Sequence, residues 1–286
     1  MAETKVWLIT GASRGLGLEI TKAALKVGHT VIACFRNKSK IADTFAEVEA
    51  LGGIWLQLDV VDKNVESQIQ SVIAQHGRID VLVNNAGYGM LGSIEETTVD
   101  QVDMIFKTNF IGTLRTIQAV LPSMRVHRSG TIVNISSSLG ISPSPGLGIY
   151  SATKWAIEAT TEVLQAEIAS FNIRTLLVEP GNMATEFTDA SGTGVQIPLS
   201  DIYRGTAVQQ TEDALSSVEY QSMAANPAKV AQRIVEAVDG TGVFAGREIG
   251  LRLPLGGDTG SDVERRAAMY EGLVKTMKDS WLSIYT

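Results

Sequence analysis

Lys5-Val6-Trp7-Leu8-Ile9-Thr10-Gly11-Ala12-Ser13-Arg14-Gly15-Leu16-Gly17 begins as an apolar run of strand type and stops at a turn holding three glycines. A helix-like stretch, Leu18-Glu19-Ile20-Thr21-Lys22-Ala23-Ala24-Leu25, follows at once. Strand, glycine turn and helix in immediate succession is the context a dinucleotide phosphate site requires. Glycine lets the backbone turn tightly and approach a ligand. The pyrophosphate then meets free N–H groups at the positive end of the helix.

Outward from this stretch, strand-like and helix-like runs alternate. Strands are expected at 5–9, 30–35, 54–58, 80–84, 131–136, 174–179 and 247–253. Helices are expected at 15–27, 39–51, 62–76, 98–124, 150–171 and 227–239. Such alternation predicts an α/β fold, a parallel sheet of about seven strands with helices on both faces. Val81-Leu82-Val83 and Thr175-Leu176-Leu177-Val178 are apolar without alternation, as strands covered on both sides should be. Residues 188–225 interrupt the rhythm and read as a substrate lid with a helix near 200–224, since long insertions in compact domains are usually functional. Residues 257–286 read as a helical extension, with an amphipathic helix from Ser261 to about Leu282 that would cap the site or block one oligomer contact. With no linker composition in between, residues 1–286 are expected to form one domain.

Composition narrows the function. The net charge is −7, which argues against nucleic acid or an anionic membrane as the main partner. Cys34, the single cysteine, lies in an apolar run and reads as a buried small hydrophobe. His29, His76 and His127 are scattered without ligand spacing, so no metal site is expected. Without a signal-peptide pattern or an apolar run of spanning length, a cytoplasmic protein is expected.

The chemistry is carried by Tyr150-Ser151-Ala152-Thr153-Lys154, where positions i and i+4 share a helix face. A free phenol titrates near ~10 and is a poor acid or base at neutral pH. A neighbouring ammonium stabilises the phenolate and lowers that value, so the pair could move a proton near working pH. Ser137 ends the fifth strand, thirteen residues before Tyr150, with Ser136 and Ser138 as less favoured alternatives. Strand two ends in Phe35-Arg36. An acidic residue there would bond a ribose 2′-hydroxyl; Arg36, with Arg14 in the glycine turn, would instead hold a 2′-phosphate. NADP(H) is therefore the expected cofactor, the alternative being that both arginines are ordinary surface charges.

Taken together, Thr10-Gly11 to Gly17, Asn84-Asn85-Ala86-Gly87, Asn109, Ser137, Tyr150 with Lys154, and Pro180-Gly181 occur in an order that resembles the short-chain dehydrogenases/reductases over residues 4–253. The resemblance is to the compact single-domain branch. Tyr150 to Ala156 and Arg252-Leu253-Pro254-Leu255-Gly256 look most like a subgroup related to 17β-hydroxysteroid dehydrogenases. The resemblance implies a Rossmann-type doubly wound sheet, with Asn109, Ser137, Tyr150 and Lys154 as the catalytic set. Tyr150 would give or take the proton, Ser137 would bond the reacting oxygen, Lys154 would also hold the nicotinamide ribose, and Asn109 would support Lys154 through a water.

For the cofactor the resemblance implies Gly11, Ser13, Arg14, Gly15, Leu16, Gly17, Arg36, Asp59, Val60, Asn85, Ala86, Gly87, Tyr150, Lys154, Pro180, Gly181, Met183 and Thr185. Asp59 would meet the adenine amino group, although from its residues alone it reads equally as a turn residue. Substrate would touch Ser137, Leu139, Tyr150, Met183 and Phe187. Variable segments near the site, Tyr88-Gly89-Met90-Leu91, residues 141–147 and the lid, are mostly apolar, so a medium-sized apolar or aromatic ketone, aldehyde or secondary alcohol is expected. The expected activity is an NADPH-dependent carbonyl reductase. The alternatives are an NAD(P)+-dependent hydroxysteroid or alcohol dehydrogenase, or a catalytically silent NADP(H)-sensing protein. Surplus apolar residues on helix 98–124 point to a homodimer or homotetramer, as relatives pair through that helix and the one bearing Tyr150.

Overall fold

The computed structural model describes residues 3–38, 44–184 and 194–285. Its strands are β1 (Val6–Ile9), β2 (Thr30–Phe35), β3 (Ile54–Gln57), β4 (Val81–Asn84), the short β5 (Met90–Leu91), β6 (Gly130–Ile135), β7 (Ile173–Pro180), the short β8 (Val195–Gln196) and β9 (Arg252–Leu255). Seven of them form one sheet in the order β3-β2-β1-β4-β6-β7-β9, every pair parallel. The order reverses between β1 and β4, so a crevice opens at the C-terminal ends of those two strands, where open α/β sheets bind ligands.

The helices are α1 (Gly15–Lys26), α2 (Phe45–Ala50), α3 (Val65–His76), α4 (Val99–Phe106), α5 (Gly112–His127), α6 (Gly148–Ile168), α7 (Ala207–Ser216), α8 (Val218–Ser222), α9 (Pro227–Asp239) and α10 (Gly257–Leu282). Alternate strand residues sort the core into two layers. Trp7 and Ile9 of β1 join Val31, Val83 and Val133 beneath α1 and α9. Leu8 joins Ile32, Cys34, Leu82 and Ile132 beneath α3, α5 and α6. Burial pushes the Cys34 thiol well above its ordinary range, in keeping with an inert packing role.

Four departures from the expected elements have physical causes. The expected helix 98–124 starts at a capping box formed by Thr98 and Gln101, then is broken by a π-helical turn, Lys107–Ile111, before α5 resumes. The expected lid helix is two helices, because Ser217 leaves the helical conformation and caps α8 by accepting from Tyr220 N–H. The last sheet strand runs Arg252–Leu255 rather than 247–253. It includes Pro254, which an edge strand tolerates because one side of its backbone needs no ladder partner. α10 begins at Gly257, four residues before its expected start. Of the expected helix 39–51, only the part after residue 43 lies within the described residues.

One pairing was not expected. β5 and β8 form a two-stranded parallel ribbon that ties the lid to the chain after β4. Val195 N–H donates to Gly89 O at 2.9 Å and Ile197 N–H to Leu91 O at 2.8 Å. Glu96 reinforces the tie, accepting from Ser93 Oγ at 2.8 Å and from Ser200 N–H at 3.2 Å.

Candidate active site

Thr10 joins the glycine turn to the end of β4. Its hydroxyl accepts from the N–H groups of Asn85 and Ala86, each at 3.0 Å, and donates to Val83 O at 3.2 Å. The Asn85 side chain returns the contact, donating to Thr10 O and Gly11 O at 3.0 Å. Gly11 has φ 64°, and a Cβ there would sit 2.9 Å from Ala86 Cα. At Gly17 a Cβ would lie 2.4 Å from both Gly11 O and Asn85 Nδ2. The Arg14 side chain at the start of α1 makes no capping hydrogen bond to the helix, and the first turn holds no acidic residue. Open N–H groups beside a cradle that only glycine fits suit an anionic phosphate. Gly17→Ala must push that cradle apart, at roughly 1–3 kcal/mol. Nicotinamide-dinucleotide affinity is expected to fall about 10- to 100-fold, and binding within twofold of the unaltered protein would refute the cradle.

Arg36 follows β2 and is exposed, while Phe35 is buried edge-on against Trp55, ring centroids 5.8 Å apart. Arg14 is half-buried in the turn. Asp59 accepts from Val61 N–H at 3.2 Å, so its carboxylate organises a turn after β3. Val60 is buried and receives the close approach of Gly112 at the start of α5.

The tyrosine–lysine pair lies on α6, against the end of β6. Tyr150 is buried and hydrogen-bonded to Ser137. Lys154 is buried too; its Nζ donates to Ile135 O at 2.7 Å and stands 5.7 Å from the Tyr150 ring centre. This separates the three serines. Ser137 faces Tyr150, whereas Ser136 donates to the Glu158 carboxylate and Ser138 opens a 3-10 turn. Burial is the largest influence on both titrating groups. It drives the Tyr150 phenol well up, with the Ser137 hydrogen bond opposing, and brings Lys154 down to about 8, with Glu158 opposing. Burial thus moves the phenol in the opposite direction from the expected lowering by the ammonium.

Asn109 sits in the π-helical turn and is buried. Its Oδ1 accepts from Tyr88 N–H at 3.0 Å; its Nδ2 donates to Tyr88 O at 3.0 Å and Thr153 Oγ1 at 3.1 Å. The side chain is thus spent holding the backbone after β4 against α6, a role the sequence reading missed. A second buried network supports the same helices. Asn84 donates to Asn134 at 2.8 Å and accepts from Thr116 of α5 at 2.6 Å; Asn134 donates to Thr161 of α6 at 2.9 Å.

Around Tyr150 lies an apolar cluster of Met90, Ile105 and Ile197, with Leu139 and Tyr88 against it. The lid therefore supplies part of the wall beside the phenol. Met183 bridges to Ala225 and packs against the layer under α1 and α9 rather than into this cluster. Gly181 N–H donates to Leu255 O at 3.0 Å, and Asn182 N–H to Asp258 at 2.6 Å, so the turn after Pro180 is held by the start of α10. Ser13 lies in the glycine turn, Gly15 and Leu16 open α1, and Gly87 follows β4. Thr185 and Phe187 lie outside the described residues.

Residues 5–195 match the family described as short chain dehydrogenase. The chain is 41% identical over 203 residues to oxidoreductase claN of Passalora fulva, covering 71% of this chain and 91% of that one. It is 34% identical over 263 residues to human (Homo sapiens) retinol dehydrogenase 8, covering 88% and 83%. A crystal structure of a short-chain dehydrogenase from Streptomyces avermitilis superposes with a TM-score of 0.87 at 34% identity, covering 99% of this chain and all of that one. Solved structures of this fold hold NADP in some cases and NAD in at least one. With the order of the seven-stranded parallel sheet in agreement, the chain belongs to the short-chain dehydrogenase family of oxidoreductases.

Proposed function

We propose that the protein is an NADPH-dependent carbonyl reductase acting on a medium-sized apolar or aromatic ketone or aldehyde. The observation that carries this reading is Tyr150, hydrogen-bonded to Ser137 and stacked near Lys154 inside an apolar cluster at the edge of the dinucleotide crevice. When bound, the nicotinamide supplies or accepts the hydride. Ser137 and Tyr150 would both donate to the carbonyl oxygen, fixing it and stabilising the charge that develops there. Tyr150, held protonated by its burial, would then give up its proton as that oxygen becomes basic. Lys154, buried and cationic below about pH 8, would stabilise the phenolate left behind.

The preference for NADP(H) rests on Arg36 at the end of β2 and Arg14 in the turn, with apolar Phe35 where an acid would repel a 2′-phosphate. Titration followed by nicotinamide fluorescence tests it. NADPH should bind tighter than NADH, and Arg36→Asp should weaken NADPH about 10- to 100-fold while changing NADH little. Equal losses for the two cofactors would remove the basis for the assignment. Addition of aromatic and steroid ketones to the tighter complex should oxidise NADPH; turnover of small charged substrates alone would sink the substrate class.

A second reading, oxidation of a hydroxysteroid or other secondary alcohol with NAD(P)+, draws on the similarity to retinol dehydrogenase 8 and on the apolar wall around Tyr150. Tight cofactor binding with no turnover in either direction would instead favour a silent NADP(H) sensor. We further take the chain to work as one domain, in the cytoplasm, as a homodimer or homotetramer; Met104 and Ile111, exposed beside α5, support a contact there. No helix among the described residues is long and apolar enough to cross a membrane.

A further inference from the structure

α10 leaves the body of the protein as a free arm. Its root is fixed: Arg266 donates to Ile141 O at 2.9 Å, and its guanidinium stacks 5.1 Å from Trp155 and 5.9 Å from Tyr270. Beyond the root, every described side chain from Ala267 to Tyr285 is exposed. Most of a helix's stability in a protein comes from packing its apolar face, and the arm as it stands lacks that packing.

One row of the arm's apolar residues is regular. Val263, Ala267, Tyr270, Val274, Met277, Trp281 and Ile284 follow one another at steps of four and three, with Met269, Leu273 and Tyr285 exposed outside that row. That is the spacing of a helix seam built to pack against another helix. Single exposed apolar residues need no explanation, but a continuous stripe marks an interaction site. From Tyr270 onward the arm carries Glu271 and Asp279 against Lys275 and Lys278, a balance of charge. A helix made to lie on an anionic membrane would instead be enriched in lysine and arginine on its polar face.

We propose that a second copy of this chain covers the arm, with the two α10 helices antiparallel about a two-fold axis passing between Lys275 and Thr276. This register sets Val274 against Met277 of the second copy, Tyr270 against Trp281, and Ala267 against Ile284. Glu271 of each copy then meets Lys278 of the other, giving two equivalent ion pairs, as a self-complementary two-fold contact demands. The register has a further consequence at the root. There α6 and α10 flank an open cavity of about 540 Å³ in which Ile141, Trp155 and Ala159 face Val263, Ala267 and Tyr270, beside the charged cluster of Arg252 with Glu158, Glu162 and Glu179. Trp281 and Ile284 of the second copy arrive opposite Tyr270 and Ala267, at the mouth of that cavity. The arm tip and the root cavity thus fill each other across the axis. This contact is separate from the surface of Met104 and Ile111 and does not depend on the reaction assigned to the site.

Sedimentation of the protein at about 10 μM, above the Kd of a submicromolar interface, tests the clasp. Met277→Glu with Trp281→Glu should halve the mass while NADPH binding stays unchanged. A monomeric unaltered protein, or a double variant of unchanged mass, overturns the proposal. Val274→Cys with Met277→Cys should form a disulfide-linked dimer under mild oxidation, since buried Cys34 does not compete; failure to cross-link overturns this register. Flotation of the unaltered protein with phosphatidylcholine–phosphatidylserine vesicles, lost in the glutamate variant whose mass is unaltered, would assign the arm to a lipid surface instead.

Discussion

Tyr150→Phe is expected to lower turnover about 10²- to 10⁴-fold and to leave cofactor affinity unchanged. The substitution removes one oxygen. The ring stays packed with Met90, Ile105 and Ile197, and the Lys154 ammonium keeps its place 5.7 Å from the ring centre. What is lost is the hydroxyl proposed as the proton donor and its hydrogen bond to Ser137. Because burial holds the phenol protonated through neutral pH, the unaltered enzyme should retain its donor across that range. The checks are a single-turnover rate with saturating NADPH and a fluorescence titration of the variant. A rate within a few-fold of the unaltered protein would remove Tyr150 from the chemistry, and a parallel loss of NADPH affinity would mean the substitution had disturbed the crevice instead.

Arg252→Ala is expected to cost about 3 kcal/mol of stability at neutral pH, the lower end of what breaking a buried ion pair costs. Arg252, on the edge strand β9, bonds Glu158 and Glu162 of α6 and Glu179 of β7. Glu158 and Glu179 are buried, while the arginine is 39% exposed, so solvent screens part of the loss. Even with the arginine present, burial and the neighbouring Glu158 carboxylate lift Glu179 from 4.5 to about 7, and burial raises Glu158 as well. A carboxyl raised in the folded state contributes stability fully below its unfolded value, and that contribution disappears as pH rises through the folded value. The unaltered protein should therefore lose stability between about pH 4.5 and pH 7. Without the guanidinium both carboxyls rise further, so the deficit of the variant should be small near pH 5 and largest near pH 8. Urea denaturation at the two pH values measures it. A deficit that is equal at both, or larger in acid, would show that these carboxylates do not carry the effect.

The same cluster shows where reading the chain stops. Arg252 was legible as part of a terminal motif and Glu158 as a helix residue four places after Lys154. Nothing in their spacing joins them to each other or to Ser136. The meeting is made by β9 pairing with β7 in parallel, Leu253 beside Val178, which carries the arginine over two buried carboxylates. Asn109 is similar. Its position was legible, but its work in holding the Tyr88 backbone depends on the π-helical turn that brings it to Tyr88 and Thr153, residues distant along the chain. Tyr150 gives the sharpest case. Proximity to Lys154 along the helix suggested a lowered phenol, and burial of the ring, which the chain alone does not show, moves it up instead.

Local chemistry determined a great deal. The phosphate turn follows from glycines that alone fit a tight, closely approached backbone, the sheet from alternating apolar segments, and the tyrosine–lysine pair from helical periodicity. These depend on residues within a turn or two of one another, so the sequence by itself determines them. The two-part lid helix, the β5–β8 tie, the arginine–glutamate cluster and the protruding α10 arm were decided only by the tertiary structure. Each depends on which segments distant along the chain exclude water from one another, and burial of that kind has no local signature.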